Sequence, residues 1–130
     1  MPKSKTDKWK TPPELYKKLD EEFHFDFDPC PIDWKEGDPN GLEIEWGSCS
    51  FCNPPYSKVA KWIEKAWTEW KKGKKVVMLI YAITDTKAFH QYIVNQAEIR
   101  FIKGRVKFIN MEDETKKVPA PKPSILVIFK

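Results

Sequence analysis

Four consecutive residues, Asn53-Pro54-Pro55-Tyr56, combine types that can hold a planar amine. The prolines remove two backbone donors and fix two φ angles. Pro54 also pushes Asn53 toward an extended conformation. The bend leaves carbonyls that no local N–H can satisfy, with a polar amide before it and an aromatic ring after it. Hydrogen-bond acceptors for an amine, beside a ring that can stack on its heterocycle, are what chemistry at an exocyclic amino group of a base requires. A Pro-Pro turn with a structural Tyr is the plainer reading of the same residues.

Other candidates are weaker. Asp28 is a carboxylate at an expected strand end, able to meet an ammonium or lie near a sulfonium, or simply to cap a turn. Cys49-x-x-Cys52 has the spacing of half a zinc site or a redox pair, but no second Cys pair follows and His24 and His90 are remote. No metal is expected. Pro29-Cys30-Pro31 superficially resembles the nucleophile of cytosine-C5 methylation without its surrounding motifs. No phosphate-cradling Gly loop is present, so nucleotide hydrolysis is unsupported.

The elements that must position these residues read as helices alternating with strands. Thr11-Pro12-Pro13-Glu14 has the pattern of a capping box and starts a helix running to about Glu22. Phe25 and Phe27 alternate with Asp26 and Asp28 as in a short strand. A loop over 32–41 leads to Leu42, Ile44 and Trp46, a brief strand candidate, and then to a strand at Ser50–Asn53. Ser57 caps a helix bearing Val59, Trp62, Ile63, Ala66, Trp67 and Trp70, which Gly73 ends. Its tryptophans read as core. Val76–Ile80 has the continuous apolar run of a central parallel strand. Thr84-Asp85 caps a third helix carrying Phe89 and Ile93. Glu98–Phe101 and Val106–Ile109 are short strands, 110–123 a Pro- and charge-rich loop, and Ser124–Phe129 a last buried strand. The order predicts an α/β fold, a sheet with helices on its faces and ligands at strand carboxyl ends, where Asp28 and Asn53 both fall.

At 130 residues the chain is expected to be one domain, residues 9–130, behind a basic flexible tail over 1–8. No apolar stretch reaches the ~18 residues of a membrane span, and the N-terminus lacks the apolar region of a signal peptide. The three cysteines cannot all pair within the chain, so a reduced, cytoplasmic setting is the simplest reading. The net charge of +4 is unevenly spread. Residues 12–45 carry eleven acidic groups against three Lys, while residues 46–130 carry sixteen basic groups against seven acidic. A polyanion is drawn to the second part and a cationic small molecule to the first.

The pattern Trp9-x-Thr11-Pro12, Leu15-Tyr16-x-x-Leu19, Glu22-Phe23-x-Phe25-x-x-Asp28-Pro29-Cys30, Trp46 and Asn53-Pro54-Pro55-Tyr56-Ser57 resembles the phage-type DNA N6-adenine methyltransferase (Dam-like) family. Thr84-Asp85-Thr86-x-x-Phe89-His90, Ile99-Arg100-Phe101-x-x-Gly104-Arg105-x-x-Phe108 and Ala120-Pro121-x-Pro123-Ser124 extend the likeness to about residue 129. The resemblance implies a minimal Rossmann-like methyltransferase fold with a mostly parallel sheet flanked by helices. It implies S-adenosyl-L-methionine as cofactor, held by Trp9, Thr11, Pro12, Asp28, Pro29, Cys30, Pro31 and Asn53. It implies methylation of adenine N6 in DNA by a catalytic pocket of Asn53, Pro54, Pro55 and Tyr56, in a bacterial or phage-infected host cell.

The chemistry of the residues agrees with that implication. The Asn53 side-chain oxygen and the Pro54 carbonyl can accept from the amine as charge develops, and Tyr56 can stack on a base flipped from the duplex. DNA contacts are then expected from Lys58, Lys87, Arg100, Lys103, Arg105 and Lys107, with no membrane partner, in a monomer or homodimer. No separate target-recognition domain is expected. It departs from the pattern in lacking a Gly-rich turn after Asp28, in Tyr81-Ala82-Ile83 before Thr84, and in Lys122 where an aromatic is usual. The acidic contact to the cofactor ribose is unassigned, with Asp33, Glu36 and Asp38 as stand-ins. Two rivals stand beside this reading: N4-cytosine methylation in the same pocket, and a methyltransferase-fold DNA-binding module without turnover.

Overall fold

The computed structural model describes residues 9–110 and 115–130. The expected tail over 1–8 and residues 111–114 of the expected loop lie outside them. In chain order the elements are β1 (Trp9–Lys10), α1 (Pro13–Phe23), β2 (Cys49–Cys52), a 3-10 turn (Tyr56–Lys58), α2 (Val59–Lys71), β3 (Lys75–Tyr81), a π-helical turn (Phe89–Ile93), β4 (Glu98–Phe101), β5 (Lys107–Asn110), β6 (Lys117–Pro119) and β7 (Ser124–Phe129).

The expected mostly parallel sheet flanked by helices is not what forms. The main sheet has the order β2-β3-β7-β4 and is mixed. β2 and β3 are parallel, but β7 runs antiparallel to both β3 and β4. A second sheet, β1-β5-β6, is antiparallel throughout. Two α-helices, the 3-10 turn and the π turn are the helical elements among the described residues. The misreading has a physical cause. A continuous apolar run such as Ser124–Phe129 reports burial on both faces, not direction. Parallel neighbours need a crossover, usually helical. After β4 the chain instead builds the small sheet and returns as β7 between β3 and β4.

Several caps also differ from the expected pattern. α1 starts at Pro13, whose fixed φ suits a first helical position. Pro12 is its cap and makes no side-chain bond, so the Thr11 capping box does not form. His24, at φ 57, ends the helix, its N–H donating to the Asp20 carbonyl at 2.8 Å. Ser57 lies inside the 3-10 turn, and Lys58 precedes α2 without a side-chain cap bond. Gly73 ends α2 as expected, at φ 98, its N–H donating to Trp70 at 2.8 Å. For the third helix the capping hydroxyl is that of Thr86, which accepts from the Phe89 N–H at 3.2 Å.

The strand expected over Phe25–Asp28 shrinks to one parallel bridge, Phe27 to Ser50. Leu42–Trp46 forms no strand: the Leu42 and Glu43 N–H groups turn back to Asn40 at 2.9 and 2.8 Å, and the Trp46 N–H donates to the Glu69 carboxylate at 2.8 Å. β1 and β6 were not expected from the sequence.

The main sheet divides the core by strand alternation. Val76, Met78 and Ile80 pack with Trp62, Ile63 and Ala66 of α2 and with Trp46, Phe89 and Ile93. Val77 and Leu79 face Leu19 of α1 and Val106, Phe108 and Ala120. The tryptophans of α2 are packing residues, as expected. Glu69 is fully buried yet charged, because Lys65, Lys72 and Lys74 donate to it at 3.1, 3.0 and 2.7 Å. Burial pushes its pKa up, but these bonds and the Trp46 N–H outweigh it and hold the carboxyl at about 2. No helix among the described residues is long and apolar enough to cross a membrane.

Candidate active site

The carboxyl ends of β2 and β3 and the start of β7 meet at one edge of the main sheet, since Cys52 pairs with Met78 and Tyr81 with Ser124. Asn53 follows β2 at this edge, and two hollows open on either side of it. The larger, of ≈ 1130 Å³, runs between α1, the start of β1 and the loop after Asp28. The smaller, of ≈ 60 Å³, lies between Pro54, Tyr56, Tyr81, Phe108 and Ser124. Trp9 and Asn53 line both.

Asn53 is held from one side. Its amide nitrogen donates to the Trp9 carbonyl at 3.3 Å and to the Thr11 hydroxyl at 3.0 Å. Both amide hydrogens are thereby used, and Oδ1 is the end left to accept.

Asp28, which follows the Phe27 bridge, lines the larger hollow, and its Oδ1 accepts from the Cys30 N–H at 2.9 Å, so the carboxylate also caps a turn. The walls desolvate it and raise its pKa above 3.8, the Cys30 N–H opposes this, and Asp33 adds to the rise. Trp9, Thr11, Cys30 and Pro31 join it there. Pro12 and Pro29 do not: the Pro12 carbonyl accepts the Tyr16 N–H at 3.1 Å, and Pro29 is buried behind the loop. Of the three candidate ribose contacts, Glu36 reaches the larger hollow. Asp38 instead accepts from the Lys35 N–H at 3.0 Å. Tyr16 and Trp34 also line it and were not foreseen; an aromatic inside a Pro- and Gly-rich loop was the available signal for Trp34.

In the smaller hollow Tyr56 is 47% exposed. Its ring centroid lies 5.3 Å from that of Tyr81, and the Lys122 ammonium sits 5.1 Å over it. Burial, then the neighbouring Tyr56, raises the Tyr81 pKa. Tyr81 and Ser124 were also missed as site residues. Ser124 Oγ is buried without a hydrogen-bond partner.

The expected DNA contacts separate. Lys58, Lys87, Lys103, Arg105 and Lys107 are exposed. Arg100 is engaged within the chain, donating to both Glu22 oxygens at 2.7 Å and to Glu98 at 2.6 Å. Among the described residues Cys30, Cys49 and Cys52 form no disulfide. Cys49 and Cys52 are three residues apart on one strand and so face opposite sides. Burial raises both thiol pKa values, and no metal-binding group of His, Cys, Asp or Glu occurs among the described residues.

No curated protein and no solved structure matches the chain. A family model described as DNA N-6-adenine-methyltransferase (Dam) matches residues 1–130. The chain therefore belongs to the DNA N-6-adenine-methyltransferase (Dam) family and is an adenine-specific DNA methyltransferase.

Proposed function

We propose that the chain methylates adenine N6 with S-adenosyl-L-methionine as donor, on a base turned out of the DNA stack. The observation that carries this reading is the place of Asn53, on the wall shared by the two hollows with its donors turned away. The larger hollow suits the cofactor. Its size is near that of small-molecule sites, Asp28 offers a carboxylate to an ammonium, and Trp9, Tyr16 and Trp34 offer aromatic faces to a cation or a purine. When bound, the cofactor supplies an electrophilic methyl group on its sulfonium.

The chain's own residues prepare the acceptor. Adenine N6 is a poor nucleophile because its lone pair is delocalised into the ring. Asn53 Oδ1 and the Pro54 carbonyl accept its hydrogens and favour a more tetrahedral nitrogen as positive charge grows. Tyr56 stacks on the extruded base. Lys103, Arg105 and Lys107, exposed around β5, supply phosphate contacts together with Lys58 and Lys87. Arg100 is left out of this set because its ion pairs occupy it.

The test is transfer of labelled methyl from S-adenosyl-L-methionine to unmethylated genomic DNA, followed by nucleoside mass spectrometry. N6-methyl-2′-deoxyadenosine is expected. N4-methyl-2′-deoxycytidine would overturn the base assignment, and no modified nucleoside from folded, DNA-bound protein would favour a binding module.

A further inference from the structure

We infer that Thr11 is a positioning residue for methyl transfer: with the Trp9 carbonyl, its hydroxyl holds the Asn53 amide so that Oδ1, not the NH2 group, meets the adenine amine. The inference rests on reading Asn53 as the acceptor for that amine.

The two ends of an amide are alike in shape and opposite in hydrogen-bond sense. The terminal torsion of Asn is broad and roughly two-fold. The Pro-Pro bend fixes where the Asn53 side chain leaves the backbone but not which end faces the smaller hollow. Turned the wrong way, the amide would present N–H groups to the N–H groups of the substrate. The Trp9 carbonyl at 3.3 Å can only accept and so sets the sense, and Thr11 Oγ1 at 3.0 Å takes the second amide hydrogen and holds the amide in that orientation. A reversed amide would set Oδ1 against the Trp9 carbonyl, acceptor against acceptor.

The start of α1 points the same way. Thr11 has a capping-type hydroxyl two residues before the helix, yet α1 begins without a side-chain cap bond. A side-chain cap ordinarily stabilises a helix start, and here the hydroxyl serves Asn53 instead. The segment is itself anchored, since Trp9 and Lys10 pair with Asn110 and Ile109 of β5. The amide is thus oriented by a strand belonging to the second sheet, not by its own.

The experiment compares Thr11→Val, Thr11→Ser and Asn53→Ala in the full chain, measuring kcat for DNA methylation and the Kd of S-adenosyl-L-methionine. Val keeps the shape and removes the acceptor. Thr11→Val is expected to lower kcat about five- to tenfold, the equivalent of one lost hydrogen bond, with cofactor Kd changed less than about twofold. Thr11→Ser is expected to restore kcat. In an Asn53→Asp background the carboxylate has two equivalent oxygens, so Thr11→Val should cost less than about twofold. An unchanged kcat in Thr11→Val, while Asn53→Ala abolishes transfer, would overturn the inference and leave the function standing. So would a loss confined to cofactor Kd, which would make Thr11 a cofactor contact, or an equal loss in the Asn53→Asp background. Retained transfer in Asn53→Ala would instead overturn the reading of Asn53 itself.

Discussion

Replacing Tyr56 tests the base-stacking role with the least disturbance to the fold. The ring is 47% exposed, so truncation to Ala removes only about 1 kcal/mol of burial. Stacking of a base on an aromatic ring contributes about 1–3 kcal/mol. In the free protein the Lys122 ammonium lies 5.1 Å over the same ring. That contact, about 0.5–1 kcal/mol at an exposed site, is given up when a base arrives. The net difference is about 0.5–2 kcal/mol, so Tyr56→Ala should lower kcat/KM for DNA about 2- to 30-fold. Tyr56→Phe keeps the ring and loses only the 3.4 Å bond from Lys122 to the hydroxyl; it should stay within about twofold of the parent. Lys122→Met removes the competitor, and at high salt, where its attraction to phosphate is screened, it should tighten capture of the base about two- to fivefold. The assay is steady-state methylation of a short duplex, with 2-aminopurine fluorescence at the target position as the report on base extrusion. A Tyr56→Phe variant as poor as Tyr56→Ala would refute the stacking argument and point to the hydroxyl. Full activity in Tyr56→Ala would remove Tyr56 from the site.

The remaining expectations concern stability, the thiols, DNA affinity and the loop over the larger hollow. The depressed Glu69 pKa means that its stabilisation is fully present above the unfolded value of 4.5 and is lost as pH falls toward about 2; urea unfolding across that window should show a loss on the order of 3 kcal/mol. Glu69→Gln should flatten that dependence and lower stability at neutral pH, and an unchanged pH profile would count against it. Cys30, Cys49 and Cys52 replaced by Ala should leave methylation intact, with melting temperature reporting the packing cost at the two buried sites; loss of transfer in a folded triple variant would reopen a thiol role. Lys103→Ala, Arg105→Ala and Lys107→Ala should each reduce the slope of log affinity against log salt by about 1, whereas Arg100→Ala should leave the slope alone, because Glu22 and Glu98 already neutralise it. Gly41→Ala should weaken cofactor binding while far-UV circular dichroism stays unchanged, since its Cβ would overlap the Pro29 carbonyl; unaltered binding would show that the loop can shift freely.

The place of the candidate site in the fold was legible in the sequence wherever one residue type has few structural uses. Asn53-Pro54-Pro55-Tyr56 fixes its own bend, so it could be placed without knowing the sheet. The amphipathic stripe of Val59–Lys71 and its glycine stop were equally direct. Strand direction was not legible, because Val76–Ile80 and Ser124–Phe129 are both fully buried and burial alone writes the same apolar run for either direction. Nor was the small sheet, whose β1 and β6 span only Trp9–Lys10 and Lys117–Pro119 and owe their existence to β5 between them. Thr11 shows the deepest limit. A Thr before Pro-Pro and Glu satisfies the local rule for a helix cap, and the tertiary bond to Asn53, 42 residues away, overrides it.

The missing Gly-rich turn after Asp28 finds its answer at a distance. Such a turn lets the backbone approach a ligand or a neighbouring segment closely. Here Gly41 makes the close approach instead: its Cα packs against the Pro29 backbone and the Trp62 ring so tightly that no side chain fits. The Gly41 carbonyl accepts the Trp46 indole N–H at 2.7 Å, and the Trp46 backbone N–H donates to buried Glu69. A chain of contacts thus runs from α2 through Trp46 and Gly41 to the peptide beside Asp28. A packed glycine tied to a buried ionic anchor thus braces the Pro29 peptide, which lies between Asp28 and Cys30 of the larger hollow.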